Sequence, residues 1–112
     1  MTALFSRASV TVVEKGDTLS VTGDVDVTLA ADVAASGVQW LESTSLAAVT
    51  LDFSQVNKAS SVAISVLFEW LRICQRRAIS VQAIHFSAPL LRLASLAELD
   101  DLIEHPAATL GV

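Results

Sequence analysis

The segment from residue 49 to residue 74, VTLDFSQVNKASSVAISVLFEWLRIC, constrains the fold more than any other part of the chain. An alternating apolar run that ends at Phe53 leads into a polar turn, residues 54–58, and then into the serine pair Ser60–Ser61. A helix-like segment over residues 61–77 follows, and it is apolar from Val62 to Cys74 except for a narrow polar stripe. The pattern predicts a strand, a tight loop and a helix, with the working surface of the chain at the serine pair.

Length and hydropathy predict one domain that keeps an apolar surface covered. We expect a single domain over residues 1–112, with its core at about 8–104 and an irregular tail at 105–112. The hydrophobic fraction of 53% is high for a soluble protein, but no uninterrupted apolar run reaches the roughly 18 residues of a membrane span. The start of the chain lacks the pattern of an export signal, and a lone cysteine, Cys74, fits a reducing cytoplasm. We therefore expect a cytoplasmic protein with a partner on its apolar surface.

The charge balance argues against nucleic acid as that partner. The formal net charge is −5, whereas nucleic acid binding draws its affinity from cations that neutralise phosphates. The basic cluster Arg72, Arg76 and Arg77 falls near the end of the predicted helix, where cations offset the helix dipole. The same cluster is also suited to docking an acidic patch of a partner protein, and the sequence leaves both interpretations open.

Periodicity along the chain predicts an α/β domain. Strand patterns over residues 8–13 and 18–22 flank a turn at Gly16, and an amphipathic helix follows from Leu29 to Leu41. Further strands are predicted at 47–53 and 79–86, and a last helix begins at Ser87-Ala88-Pro89. The order β-β-α-β-α-β-α predicts a mixed sheet of four to five strands, with the helices largely on one face.

The predicted helix 61–77 carries more apolar surface than one sheet can cover. Its polar residues fall on one narrow stripe, in which Glu69 is placed to pair with Arg72. The flanking residues Phe68 and Ile73 therefore need further cover. Neighbouring helices or a partner protein would supply it.

The sequence offers little basis for catalysis or for a cofactor. It contains neither a GxxxxGK[ST] loop nor a GxGxxG motif, and the histidines His85 and His105 lack ligand spacing. A serine nucleophile at Ser61 would need a base, and neither histidine follows a pattern that brings it there. We expect no cofactor, no metal and no enzymatic activity.

Three segments together resemble the STAS domain, the fold of anti-sigma-factor antagonists. The segment LDFSQVNKASSVAISVL is similar to the family's apolar strand, D-S-S-G-L loop and helix. Residues 22–26, TGDVD, resemble the G-E-L-D that ends the family's second strand. Residues 96–103, LAELDDLI, are similar to the closing L-x-G-L-D-x-L-F. The resemblance covers about residues 10–103 and implies a single STAS domain.

The segment at the serine pair departs from the antagonist pattern. An ungapped match places Ser60 on the family's Asp, Ser61 on the first serine, Val62 on the second serine and Ala63 on the glycine. In antagonists the second serine is phosphorylated by a partner kinase, and a valine cannot accept a phosphate. Ser61 remains a candidate phosphoacceptor, although capping of a buried helix start is the alternative role for its hydroxyl.

A subgroup without this phosphoswitch resembles the sequence better: the small STAS subunit of the Mla-type phospholipid ABC transporter, which maintains outer-membrane lipid asymmetry. Its members carry D-T-G-G-L, so that Ser61 takes the position of a threonine that contacts the ATPase. The resemblance implies a non-catalytic cytoplasmic subunit that binds the ATPase at the inner-membrane complex and supports its assembly and activity. The alternative is an anti-sigma-factor antagonist, whose partner is an anti-sigma factor kinase. The implied partner-binding surface comprises Asn57, Lys58, Ser60, Ser61, Ser87 and Leu90.

Overall fold

The computed structural model describes residues 2–7, 9–58 and 60–96, which form one five-stranded sheet and three helices. In chain order the elements are β1 (Thr2–Arg7), β2 (Val10–Lys15), β3 (Thr18–Gly23), α1 (Ala30–Ser43), β4 (Ala48–Val56), α2 (Ser61–Arg76), β5 (Ser80–Phe86) and α3 (Ala88–Leu96). The strands lie side by side in the order β1-β2-β3-β4-β5.

The sheet is mixed, because hairpins join its first strands and helices join the rest. β1, β2 and β3 form an antiparallel meander, and Gly16 adopts a positive φ of 60° in the turn between β2 and β3. β4 runs parallel to β3, and β5 runs parallel to β4. Parallel neighbours require crossover connections, which α1 and α2 provide.

One face of the sheet packs against the helices. Buried residues alternate along the strands, as at Val10 and Val12 of β2 or Leu19 and Val21 of β3. The domain measures 33 × 32 × 20 Å, and the short dimension fits a single layer of helices on a single sheet. The predicted α/β architecture with helices on one face is therefore confirmed.

The two crossover helices meet at a glycine. Trp70 of α2 is fully buried, and its indole Nε1 donates a hydrogen bond to the carbonyl oxygen of Ala34 in α1 at 3.0 Å. A Cβ placed on Gly37 of α1 would lie 2.2 Å from the Trp70 ring. The Phe53 ring of β4 lies 5.4 Å from the Trp70 ring, so this contact fixes both helices on the sheet.

The structure corrects several local predictions. An additional strand, β1, precedes the predicted order at the edge of the sheet. The predicted turn over residues 54–58 is too long, because β4 continues to Val56, whose side chain is buried. On α2, Ile73 is buried whereas Phe68 is exposed, so only one of the two flanks lacks cover. The predicted tail at 105–112, including His105, lies outside the described residues.

Candidate partner-binding site

The serine pair lies where β4 leads into α2, beside the end of β3. The backbone N–H of Asn57 donates to the carbonyl oxygen of Gly23 at 3.0 Å, which extends the parallel pairing past the end of β4. The Ser60 hydroxyl donates to the carbonyl oxygen of Val25 at 3.4 Å. These bonds attach the loop to the carboxyl end of the sheet, the edge at which open α/β folds usually bind their ligands.

Ser60 is the N-cap of α2. Its backbone is extended, with φ −140° and ψ 121°, and its side-chain oxygen accepts a hydrogen bond from the Ala63 N–H at 3.4 Å. An N-cap serine satisfies one of the free donors at the start of a helix in this way. The Ser60 hydroxyl is therefore engaged within the fold, and the side chain is only partly exposed.

Ser61, the first residue of α2, is exposed. The alternative prediction, in which Ser61 caps a buried helix start, is wrong because Ser60 fills that role. Within the described residues the Ser61 hydroxyl makes no hydrogen bond, although the Ser61 carbonyl accepts one from the Ser65 hydroxyl at 3.0 Å. The next residue, Val62, is partly buried and packs against the core. The pair thus combines one structural hydroxyl with one that is open to solvent.

The charged residues beside the serine pair, Asp24 and Lys58, follow a close backbone contact at the end of β3. Gly23 has a φ of 103°, and a Cβ at this position would lie 1.9 Å from the carbonyl oxygen of Ser9. Only glycine fits at this position, which explains the glycine in the segment TGDVD. The next residue, Asp24, forms an ion pair with Lys58 at 3.8 Å, and the Lys58 side chain is 78% exposed. Lys58 and the exposed Asn57 therefore flank Ser61 at the surface.

The predicted contribution from the start of α3 requires correction. Ser87 caps α3, since its hydroxyl accepts a hydrogen bond from the Leu90 N–H at 3.4 Å, as the sequence predicts. Leu90, however, is fully buried and cannot contact a partner in this structure. The next two residues of α3, Leu91 and Arg92, are exposed instead, and the sequence prediction missed them. Because three of residues 90–93 are leucines, the sequence of this short helix does not show which side faces the core.

The basic cluster divides into residues with different tasks. Arg72 pairs with Glu69, as predicted, and Arg76 pairs with Glu42 of α1 at 2.9 Å. Arg77 follows α2, and its guanidinium donates to the carbonyl oxygens of Leu41 and Thr44 at 2.6 and 3.2 Å. Arg77 therefore caps the C-terminal end of α1 from outside, while Arg72 remains on the surface.

Two side chains of types that often take part in catalysis, His85 and Cys74, lie on β5 and α2. His85 lies exposed on β5, in register with Asp52 of β4. Burial raises the pKa of the Cys74 thiol to about 11, so this cysteine is a poor nucleophile. Across residues 2–7, 9–58 and 60–96, no group of three or more potential metal ligands occurs. In the same part of the chain, no helix is long and apolar enough to cross a membrane.

Comparison with known proteins agrees with this geometry. The family model described as "Mlab, STAS domain" matches residues 9–104. This chain belongs to the STAS domain family. The match includes every element from β2 onward and the loop that carries Ser60 and Ser61, so the predicted resemblance is confirmed.

The fold of this STAS domain also resembles a solved structure. The structure of the anti-sigma factor antagonist SpoIIAA in its unphosphorylated form matches with a TM-score of 0.66 and 10% sequence identity. The similarity covers 85% of this chain and 85% of that one. At this identity the likeness concerns the fold alone. No curated protein sequence matches this chain.

Proposed function

We propose that this STAS domain is a non-catalytic, cytoplasmic subunit that binds the ATPase of an Mla-type phospholipid ABC transporter. In that role it supports assembly and activity of the inner-membrane complex. The observation that carries the proposal is the exposed hydroxyl of Ser61 together with the valine that follows it. Ser61 presents an exposed hydroxyl to which no described residue hydrogen-bonds, while Val62 takes, in the ungapped match, the position of the serine that is phosphorylated in the antagonists.

The surface at this corner suits protein docking. The exposed residues Asn57, Lys58 and Ser61 stand together at the start of α2, with Ser60 as the cap behind them. A small hydroxyl side chain at the first position of a helix lets the backbone of a partner approach closely. Such a contact also satisfies the free N–H groups of the first turn. A large or charged side chain at position 61 would prevent this approach without disturbing the fold.

Co-purification tests the proposal. The tagged domain is co-expressed with the ATPase and permease subunits of an Mla-type transporter from the same genome, and the complex is isolated through the tag. We expect wild type to retain the ATPase and Ser61→Arg to lose it. Ser80→Arg is the matched control, because Ser80 is exposed at the start of β5, at the opposite end of the sheet. A complex that withstands Ser61→Arg contradicts the site, and a wild-type domain that retains no ATPase contradicts the function.

The exposure of the Ser61 hydroxyl also favours a second candidate, an anti-sigma-factor antagonist that is switched by phosphorylation. A phosphate at the first position of α2 would lie at the positive end of the helix dipole, with Lys58 nearby. Incubation with the anti-sigma factor kinase of the same organism and ATP should then add one phosphate, detected by mass spectrometry. The phosphate should disappear in Ser61→Ala, and an unmodified wild-type chain counts against this candidate.

A further inference from the structure

The exposed surface at Ser61 continues along α2. Ser61, Ser65, Phe68 and Arg72 follow one another at intervals of three or four residues, so they lie on one side of the helix. All four are exposed. At 1.5 Å per residue this α2 stripe is about 16 Å long. It begins at the corner proposed to bind the ATPase, and one continuous contact can therefore include both.

An aromatic side chain lies in the middle of the α2 stripe. Phe68 is 44% exposed, although the same helix buries Trp70 and Leu71 almost completely. Leu91 of α3, the helix in contact with α2 on the sheet, is 43% exposed. A contiguous exposed apolar patch is a usual mark of a protein contact site, and the contact between α2 and α3 places these two side chains on adjoining helices. Phenylalanine also offers a partner more contact area than an aliphatic residue.

The charge of this surface is opposite to that of the whole chain. The net charge of the chain is −5, whereas the described residues of α2 and α3 carry Arg72, Arg76 and Arg92 against one carboxylate, that of Glu69. Arg72 forms an ion pair with Glu69, which lies three residues earlier on α2. An exposed ion pair of this kind contributes little to stability, so Arg72 can exchange its partner when another protein binds. A segment rich in carboxylates therefore complements this surface, whereas a basic segment would be repelled.

We propose that the α2 stripe, together with Leu91 and Arg92, docks an acidic amphipathic segment of the ATPase. An apolar side chain of that segment packs on Phe68 and Leu91, and its carboxylates pair with Arg72 and Arg92. The inference rests on the proposed function, because it takes the ATPase as the partner and adds the chemistry of the segment that is recognised.

The affinity of the purified domain for the purified ATPase tests this inference. We expect Arg72→Glu and Arg92→Glu each to weaken binding by about tenfold or more, since each change replaces attraction by repulsion. Wild-type affinity should fall when salt rises from about 0.1 M to about 1 M, which shortens the Debye length from about 10 Å to about 3 Å. Phe68→Ser should weaken binding by about tenfold at both salt concentrations, because it removes apolar contact area.

The matched control is Lys15→Glu, which makes the same charge change on an exposed residue at the far end of the sheet. Circular dichroism shows whether each variant folds, and Arg72→Gln provides a milder change at the same position. If wild type binds but all variants match Lys15→Glu, the inference is overturned while the proposed function stands. If wild type does not bind, both fall. A wild-type chain that sediments as a dimer, and as a monomer after Phe68→Ser, would place a second copy on the stripe and overturn the inference.

Discussion

At the residue scale, the adjacent serines differ because of their backbone geometry. Ser60 is extended, so its side chain turns back over the first turn of α2 and reaches the Ala63 N–H. Ser61 is already helical, and its side chain points outward into solvent. The sequence predicts a helix start at the pair, but it cannot assign the two roles. That assignment depends on the backbone angles of one residue, which the end of β3 fixes through the bond from Ser60 to Val25.

Stability measurements separate the two serines. Ser60→Ala removes the cap of α2 and should lower the free energy of unfolding by about 1 kcal/mol. Ser61→Ala removes an exposed hydroxyl and should change it by less than about 0.5 kcal/mol. Urea denaturation followed by circular dichroism measures both values. Equal losses in the two variants would contradict the assignment of Ser60 as the cap.

Asp26 holds the turn that precedes α1, and its titration tests that contact. Its carboxylate accepts hydrogen bonds from the hydroxyl and the N–H of Thr28 and from the Leu29 N–H, and the Thr28 hydroxyl is the main cause of its lowered pKa. Because the folded pKa of Asp26 lies below the usual aspartate value of 3.8, this stabilisation is present above about pH 4 and is lost as the pH falls through the folded pKa.

The Asp26 carboxyl titration should respond to a single hydroxyl. In Thr28→Val we expect the Asp26 pKa, followed by carboxyl carbon NMR, to move up toward 3.8. Thr22→Val is the control, because it removes another exposed threonine hydroxyl, on β3. An Asp26 pKa that is identical in wild type and Thr28→Val would contradict this account.

At the scale of elements, the contact between α1 and α2 depends on the absence of a side chain at Gly37. In an open helix position Gly→Ala is stabilising by about 0.5–1 kcal/mol. Here the added methyl group would meet the buried Trp70 ring, and overpacking of this kind costs about 1–3 kcal/mol. We therefore expect Gly37→Ala to be destabilising in thermal and urea unfolding. Ala31→Ser, on the exposed side of α1, should have little effect, and a stabilised Gly37→Ala would contradict the packing.

The single cysteine reports on the packing of α2. Cys74 is fully buried and its thiol pKa is raised to about 11, so the reactive thiolate is scarce and inaccessible in the folded domain. We expect an aromatic disulfide reagent, whose released thiolate is measured by its absorbance, to modify the folded protein far more slowly than the urea-unfolded chain at the same pH. Modification of the folded domain at the unfolded rate would show that α2 is not packed as described.

The sequence predicts elements well where their patterns are local. The α2 helix begins at the predicted residue and ends within one residue of the predicted end, because a serine cap and a run of apolar residues define it. The hairpin at Gly16 is likewise set by its own turn. β1 differs, since Thr2–Arg7 lacks an alternating pattern and becomes a strand through its pairing with β2. β4 likewise extends to Val56 because its last residues pair with the end of β3.

At the scale of the whole molecule, the two-layer fold concentrates the candidate site at one edge. The carboxyl ends of β3 and β4, the loop at Asn57 and Lys58, and the start of α2 come together there. The sequence predicts this corner from its STAS pattern and indicates that Phe68 needs cover, yet it includes Leu90, which is buried, in place of the exposed Leu91. Those choices depend on how far each helix is rotated against the sheet, and tertiary packing decides that rotation.

Hydrogen–deuterium exchange on the complex tests whether the corner at Asn57, Lys58 and Ser61 binds the ATPase. The domain is labelled alone and with the ATPase, and its peptides are compared by mass spectrometry. We expect slower exchange in the bound state over residues 57–65, where the first N–H groups of α2 lack carbonyl partners within the helix. Residues 10–15 of β2 should be unchanged. Protection confined to β1 and β2, with residues 57–65 exchanging as in the free domain, would contradict the account.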